Sequence, residues 1–186
     1  MSVRVTKRQF NITEYYRMAE AGILSADDRV ELIEGEIIKM TPIGSRHAGC
    51  VSRLNALLNR LLSETAIISV QNPLRLSNLS EPQPDIILLR PRNDFYSNAH
   101  PTPTDVLLII EVSDTSLEYD RDIKIPLYAT ASISEVWLVN LIKDMIEIYR
   151  EPQEGMYKEV RYFTRGETVS PLFDPELTLS VDSIIG

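Results

Sequence analysis

The chain has 186 residues, 44% of them apolar and 25% charged, and carries a net charge of −8. That balance describes one ordinary soluble globular domain, long enough for a sizeable core. The acid excess excludes a general nucleic-acid-coating protein, because phosphate binding rests on Lys and Arg, so any such contact needs a local basic face.

No apolar run reaches membrane-spanning length, which argues against a membrane partner, and MSVRVTKRQF contains no signal-peptide core. The lone Cys50 excludes an internal disulfide and a multi-cysteine metal site, and fits a cytoplasmic location.

In chain order, residues 1–10 read as a flexible arm at the start of a single domain spanning 1–186. Thr13 is placed to cap a helix running to about Ala21, with Tyr15, Met18 and Ala19 toward the core and Gly22 ending it. RVELIEGEIIKM predicts two short strands around a Glu34-Gly35 hairpin turn, one face of which carries acid groups.

Pro42 and Gly44 break that pattern, and Ser45 is positioned to cap the clearest helix, HAGCVSRLNALLNRLLSE. Cys50, Val51, Leu54, Leu57, Leu58, Leu61 and Leu62 recur there at helical spacing. Arg46, Arg53 and Arg60 fall on its other side with no acid before Glu64, either a solvated face or a tentative nucleic-acid-binding stripe. His47, at the helix start, is read either as a surface or capping residue or as part of that stripe and of the site.

AIISV reads as a strand, PLRLS as a short one, and Asp85 to Leu89 as another. RPRNDFYSNAHPTPTD, with three prolines, predicts a surface loop. Val106 to Val112 is a strand that carries Glu111. Ser116 begins a helix that carries Lys124 and ends near Ala131, and Pro126 means that it starts late or is kinked. EVWLVN, DMIEIYR, MYKEVRYF and ELTLSV add strands, so the pattern predicts an α/β (α+β) fold with a single mixed sheet and two or three helices.

Asp85 and Glu111 are carboxylates in strands rich in Val, Leu and Ile, where an acid is costly unless paired or bound to a cation. They are hard oxygen donors suited to Mg²⁺ or Mn²⁺, and the backbone carbonyl of Val112 is a candidate third ligand. Lys124 would supply a cation near the reacting group, and Glu31 is a further acid from the first hairpin. The bland alternatives are a buried Glu–Lys ion pair and a Pro-Asp turn. The sequence contains no glycine-rich phosphate loop, no G-x-S-x-G and no H-E-x-x-H. A glycosidase-type acid pair needs only two carboxylates, but would not call for Lys124.

The order ELIEGEIIKM, HAGCVSRLNALL, PQPDIILL and IIEVSDTSLEYDRDIKIPLYATASISEVWLVN resembles the Uma family, assigned as restriction endonucleases largely from its fold, in the PD-(D/E)XK nuclease superfamily. The resemblance runs from about Thr13 to Val181, and rests on Pro84-Asp85, Glu111-Val112-Ser113, the Asp-Arg-Asp-x-Lys of residues 120–124, Tyr128-Ala129 and Val136 to Val139. It implies a restriction-endonuclease-like fold with extra C-terminal strands, and a Mg²⁺-dependent endonuclease acting on DNA. By that resemblance Asp85 and Glu111 bind the metal, and Glu31, rather than Glu36, is the upstream acid. The superfamily's lysine usually stands two residues after the second acid; Ser113 occupies that position here, so Lys124 is read as its migrated replacement. The alternative function is a catalytically silent nuclease fold used as a binding or assembly module. A homodimer through C-terminal edge strands is expected in either case.

Overall fold

The computed structural model of the protein describes residues 7–25 and 27–186. Helix α1 (Ile12–Glu20) is capped by Asn11 rather than Thr13. The Asn11 side chain accepts from the Glu14 amide, and the Glu14 carboxylate accepts from the Asn11 amide. This reciprocal box satisfies two orphan N–H groups, which Thr13 could not do from inside the helix. Ile12 is buried, Tyr15 and Met18 are half-buried, and Ala19 is exposed.

Strands β1 (Val30–Ile33) and β2 (Glu36–Lys39) form an antiparallel hairpin across Glu34-Gly35. Gly35 has φ +79°, and a Cβ there would lie 2.5 Å from Cβ of Gln9, so both backbone and space require glycine. The same contact corrects part of the expected arm. Residues 1–6 lie outside the described residues, but Phe10 donates its N–H to the Gly35 carbonyl and Lys7 pairs with Glu36.

The main sheet has six strands in spatial order β3 (Ile67–Val70), β4 (Ile86–Leu89), β5 (Val106–Ser113), β6 (Glu135–Asn140), β7 (Met145–Gln153) and β8 (Met156–Thr164). All neighbours are antiparallel except β5 and β6. A parallel pair needs a crossover, and the helical segment after β5 supplies it. Helix α2 (Ser45–Leu62) starts after Gly44, which replaces Ser45 as the cap, and buries Cys50, Val51, Leu54, Leu58 and Leu62 against one sheet face. Leu61, expected in that face, is exposed. On the opposite face Ile87, Ile109, Val136 and Leu138 pack beneath the crossover. Cover on both faces explains why β4 to β6 read as nearly continuous apolar runs.

The crossover joins α3 (Leu117–Tyr119), a π turn over Asp120–Lys124, and α4 (Ile125–Thr130). The structure therefore has the distorted form rather than the late start. Ile125 donates to the Asp120 carbonyl five residues back, just before Pro126, which has no N–H to continue a regular ladder. The C-terminal stretch differs from expectation. Only Leu179–Ser180 is a strand (β10), paired with β9 (Thr168–Val169), and Val181–Ile185 turns into helix α5 against α2. PLRLS forms no strand. Among the described residues no helix is long and apolar enough to cross a membrane.

Candidate active site

The two strand carboxylates meet because of register. The β4–β5 ladder pairs Ile86 with Ile110, and continuing it by one residue sets Asp85 opposite Glu111. Cβ atoms of directly opposed residues lie about 4.5–5.5 Å apart, and like charges there repel. One residue further, Pro84 falls opposite Val112. Pro84 has no N–H to donate to the Val112 carbonyl. The Val112 N–H is taken by Asp85 Oδ2 at 2.9 Å. Pro-Asp thus ends the ladder and leaves the Val112 carbonyl without a ladder donor, beside both acids.

Each acid is held separately. Asp85 also faces His47 Nε2 at 3.0 Å and accepts from Gln71 at 3.1 Å. Glu111 accepts from the Tyr128 hydroxyl and, at 3.3 Å, from the Asp85 amide. Lys124 Nζ lies 3.3 Å from Glu111 Oε1 and 3.5 Å from Glu31 Oε2, so the lysine does reach the strand end from the crossover. Glu31 further accepts from the Tyr119 hydroxyl at 3.1 Å and the Gln83 amide at 3.0 Å. Asp120, on the π turn, accepts from Ser113 at 2.7 Å and Ser116 at 2.6 Å.

Charge is unevenly compensated. Around the cavity Glu31, Asp85, Glu111, Asp114 and Asp120 face Arg29, Lys39, His47 and Lys124, so acids outnumber bases by one when all are ionised. Burial pushes Glu111 up to about 8, against the opposing charge of Lys124. Burial likewise raises Asp120, partly offset by Lys124. Burial also acts on Asp85, but the His47 contact and the Val112 and Gln71 hydrogen bonds outweigh it and hold the acid below its usual range. Burial disfavours charge on Lys124 and on His47, yet Glu111 and Glu31 raise the first and Asp85 raises the second. Two opposed carboxylates and a carbonyl without a ladder donor are hard oxygen donors of the kind that suits a divalent cation. Among the described residues no group of three or more His, Cys, Asp or Glu side chains is arranged to hold a metal ion.

Of the candidate residues, Glu31, His47, Asp85, Glu111 and Lys124 line one cavity of about 430 Å³. Glu36 is exposed and paired with Lys7, away from it. The arginine stripe is not a free face: Arg46 pairs with Asp144 at 2.6 Å, and Arg53 donates to the Ile185 carbonyl at 2.7 Å. All three arginines stay exposed to solvent, Arg46 and Arg53 with these partners. Their acids and carbonyls come from distant segments, which spacing within α2 cannot show. Asp120, Tyr119, Tyr128, Gln71 and Gln83 were not picked out as site residues. Gln83, Tyr119, Asp120 and Tyr128 lie inside stretches already noted, whereas Gln71 carries no signal of its own.

A family model described as "Uma2: Putative restriction endonuclease" matches residues 12–182. A crystal structure described as "a putative nuclease belonging to DUF820", from Anabaena variabilis, aligns with TM-score 0.72 at 18% identity, covering 95% of this chain and 97% of that one. That likeness establishes the fold. No curated protein matches the chain.

Proposed function

The chain belongs to the Uma2 family, and from that premise we propose that it is a Mg²⁺- or Mn²⁺-dependent nuclease hydrolysing phosphodiester bonds of DNA. The observation that carries this reading is the opposed pair Asp85 and Glu111, next to Lys124 and a Val112 carbonyl that Pro84 cannot engage.

In this reading Asp85, Glu111 and the Val112 carbonyl hold the ion. When bound, it would lower the pKa of a coordinated water and neutralise charge on the phosphodiester. Lys124 keeps its proton at Nζ at neutral pH, so it acts as a fixed cation rather than a base. It orients the water and stabilises charge developing on phosphate oxygen as the phosphorus–oxygen bond breaks. Glu31 is a second carboxylate on the Lys124 ammonium, at 3.5 Å, beside Glu111 at 3.3 Å. Tyr128 fixes the Glu111 carboxylate, and His47 with Gln71 fixes Asp85. The edge strand β8 carries exposed Met156 and Tyr162, which favours a homodimer formed there; a monomeric mass in light scattering overturns that part.

The test is nicking of supercoiled plasmid with Mg²⁺ or Mn²⁺, together with calorimetric titration of Mn²⁺. Asp85→Asn and Glu111→Gln are expected to lose both nicking and Mn²⁺ binding. Full activity in the double variant defeats the proposal. A folded protein that binds DNA but neither Mn²⁺ nor cuts would instead be the silent module.

A further inference from the structure

A second concavity, of about 350 Å³, lies against helix α1 and the 91–101 loop. Its walls include Tyr16, Arg75, Tyr96, Ser97, Asn98 and His100, and hold no Asp or Glu. In a chain of net charge −8 this is a local exception. The Tyr16 and His100 rings lie 23° from parallel with centroids 6.4 Å apart, and the Arg75 guanidinium sits 5.9 Å from the Tyr16 centroid. Arg75 gives Nε to buried Glu81 at 2.8 Å, and its side chain is still well exposed to solvent.

The loop beside it is strained and braced. Phe95 and Tyr96 are consecutive residues in the left-handed region, with φ of 48° and 62°, where bulky side chains are rare. Such a conformation persists only when its surroundings over-determine it. Here Arg92 pairs with Asp94, and Asp94 also accepts from the Tyr96 amide and from Asn98. The Tyr96 hydroxyl donates to the Arg90 carbonyl, while the Arg92 guanidinium lies 3.9 Å from the Tyr96 centroid. The outcome of this bracing is a Phe95 ring that is 74% exposed. The braced loop thus presents an aromatic ring to solvent next to the acid-free wall.

We infer that this concavity and the loop that borders it form a stacking subsite for unpaired nucleobases of a nucleic-acid substrate, with Phe95, next in the chain to the wall residue Tyr96, as an exposed platform at its border and Arg75 as the cation beside the backbone. The inference rests on the nuclease reading and adds a substrate class to it: strands with unpaired bases. The chemistry of the wall decides for a base over an aliphatic protein anchor. It offers rings, a guanidinium, an imidazole, a hydroxyl and an amide, and no Leu, Ile, Val or Met. Planar bases stack on such rings regardless of sequence, and arginine adds cation–π and phosphate contact. The position is also suitable: Glu81 anchors Arg75 here, and Gln83, two residues on, lines the catalytic cavity.

The experiment is fluorescence anisotropy of the full chain with labelled oligothymidylate in EDTA, against an abasic strand of equal length and charge. Sedimentation and plasmid nicking are run in parallel. Phe95→Ala is expected to weaken oligothymidylate binding about tenfold, with Phe95→Trp restoring it and the abasic strand weak throughout. Equal binding of the two strands, or no effect of Phe95→Ala, overturns the inference. So does a Phe95→Ala chain that changes only its oligomeric mass, which would make the face a protein contact. If the wild type nicks plasmid while these strands bind alike, only the stacking subsite fails. If it neither binds nor nicks, the nuclease reading fails with it.

Discussion

Glu111 and Glu147 stand in one row of the main sheet, each paired in register with Leu138 between them. Both are buried, and the same π turn sends a cation to each: Lys124 to Glu111 and Arg121 to Glu147. Their environments differ in the number of donors. Glu147 takes a two-nitrogen Arg121 contact, Asn140 at 3.0 Å and the Tyr149 hydroxyl at 2.7 Å. Burial works against its ionised form, but these contacts win and hold it below the usual carboxylate range. Glu111 has one shared lysine, one tyrosine hydroxyl, a long contact from the Asp85 amide and a neighbouring acid, and burial pushes it up to about 8. Glu135 repeats the satisfied pattern, with Arg150, Trp137 Nε1 and the Leu172 amide around it. A buried acid with full compensation is architecture; one left short of positive charge is a place where a cation or a reacting group belongs.

The sharpest way to break this contrast is to neutralise each glutamate in turn. Glu111→Gln is expected to reduce plasmid nicking at least about 100-fold. It should move Tm by less than about 4 °C, equivalent to about 1 kcal/mol in a chain of this size, because the site already disfavours the charge. Glu147→Gln should do the reverse, with nicking nearly unchanged and stability reduced. Nicking assays and thermal melts on the two purified variants decide it. If both lose activity alike, the division between the two acids is wrong.

The compensation of Glu147 carries its own pH signature. A carboxyl whose native pKa is depressed contributes stability that is present above its unfolded value, about 4.3. That contribution is lost as pH falls through the native value. Urea unfolding at pH 7 should therefore show Glu147→Gln destabilised by about 1.5–3 kcal/mol, the range for hydrogen bonds to a charged group. As pH falls below the unfolded value of about 4.3 and through the depressed native value, the gap should shrink as the wild-type carboxyl takes up its proton. A gap that stays constant across this range would assign the loss to packing instead.

Much of this arrangement is legible in the residues, but not the contrast itself. Helix α2, the first hairpin and strands β4 to β7 follow from periodicity, because local pattern and burial agree there. Asp85 stands out because it opens an apolar run, Glu111 because it lies near the end of one, and Lys124 because it follows Glu111 on the next predicted helix. What tells Glu111 from Glu147 is tertiary: Arg121, Asn140 and Tyr149 converge through strand register and a π turn that local propensity does not encode. The partners of Arg46 and Arg53 escape for the same reason, since Asp144 and the α5 carbonyls are about a hundred residues away. Helix α5 was missed because five residues, Val181–Ile185, are too few for a periodic signal and owe their shape to packing on α2.

Asp120 lies between the two kinds of acid and gives the smallest expected effect. It lines the cavity like Glu111, and burial raises it, yet its Oδ2 is held by the hydroxyls of Ser113 and Ser116. Ser113 ends the strand that carries Glu111, so this contact fastens the π turn, and Lys124 with it, to the strand end. Asp120 is therefore a positioning residue. In Asp120→Asn the amide oxygen can still accept both hydroxyls, so the stability cost should be about 1 kcal/mol. A small displacement of Lys124 should lower turnover by about tenfold and leave substrate KM and Mn²⁺ binding near wild type. Ser113→Ala should shift turnover in the same direction, because it loosens the same joint from its other side. If Asp120→Asn instead abolishes Mn²⁺ binding in calorimetry, Asp120 belongs with Asp85 and Glu111 among the ligands, and the surplus charge of the cavity is shared by three acids rather than two.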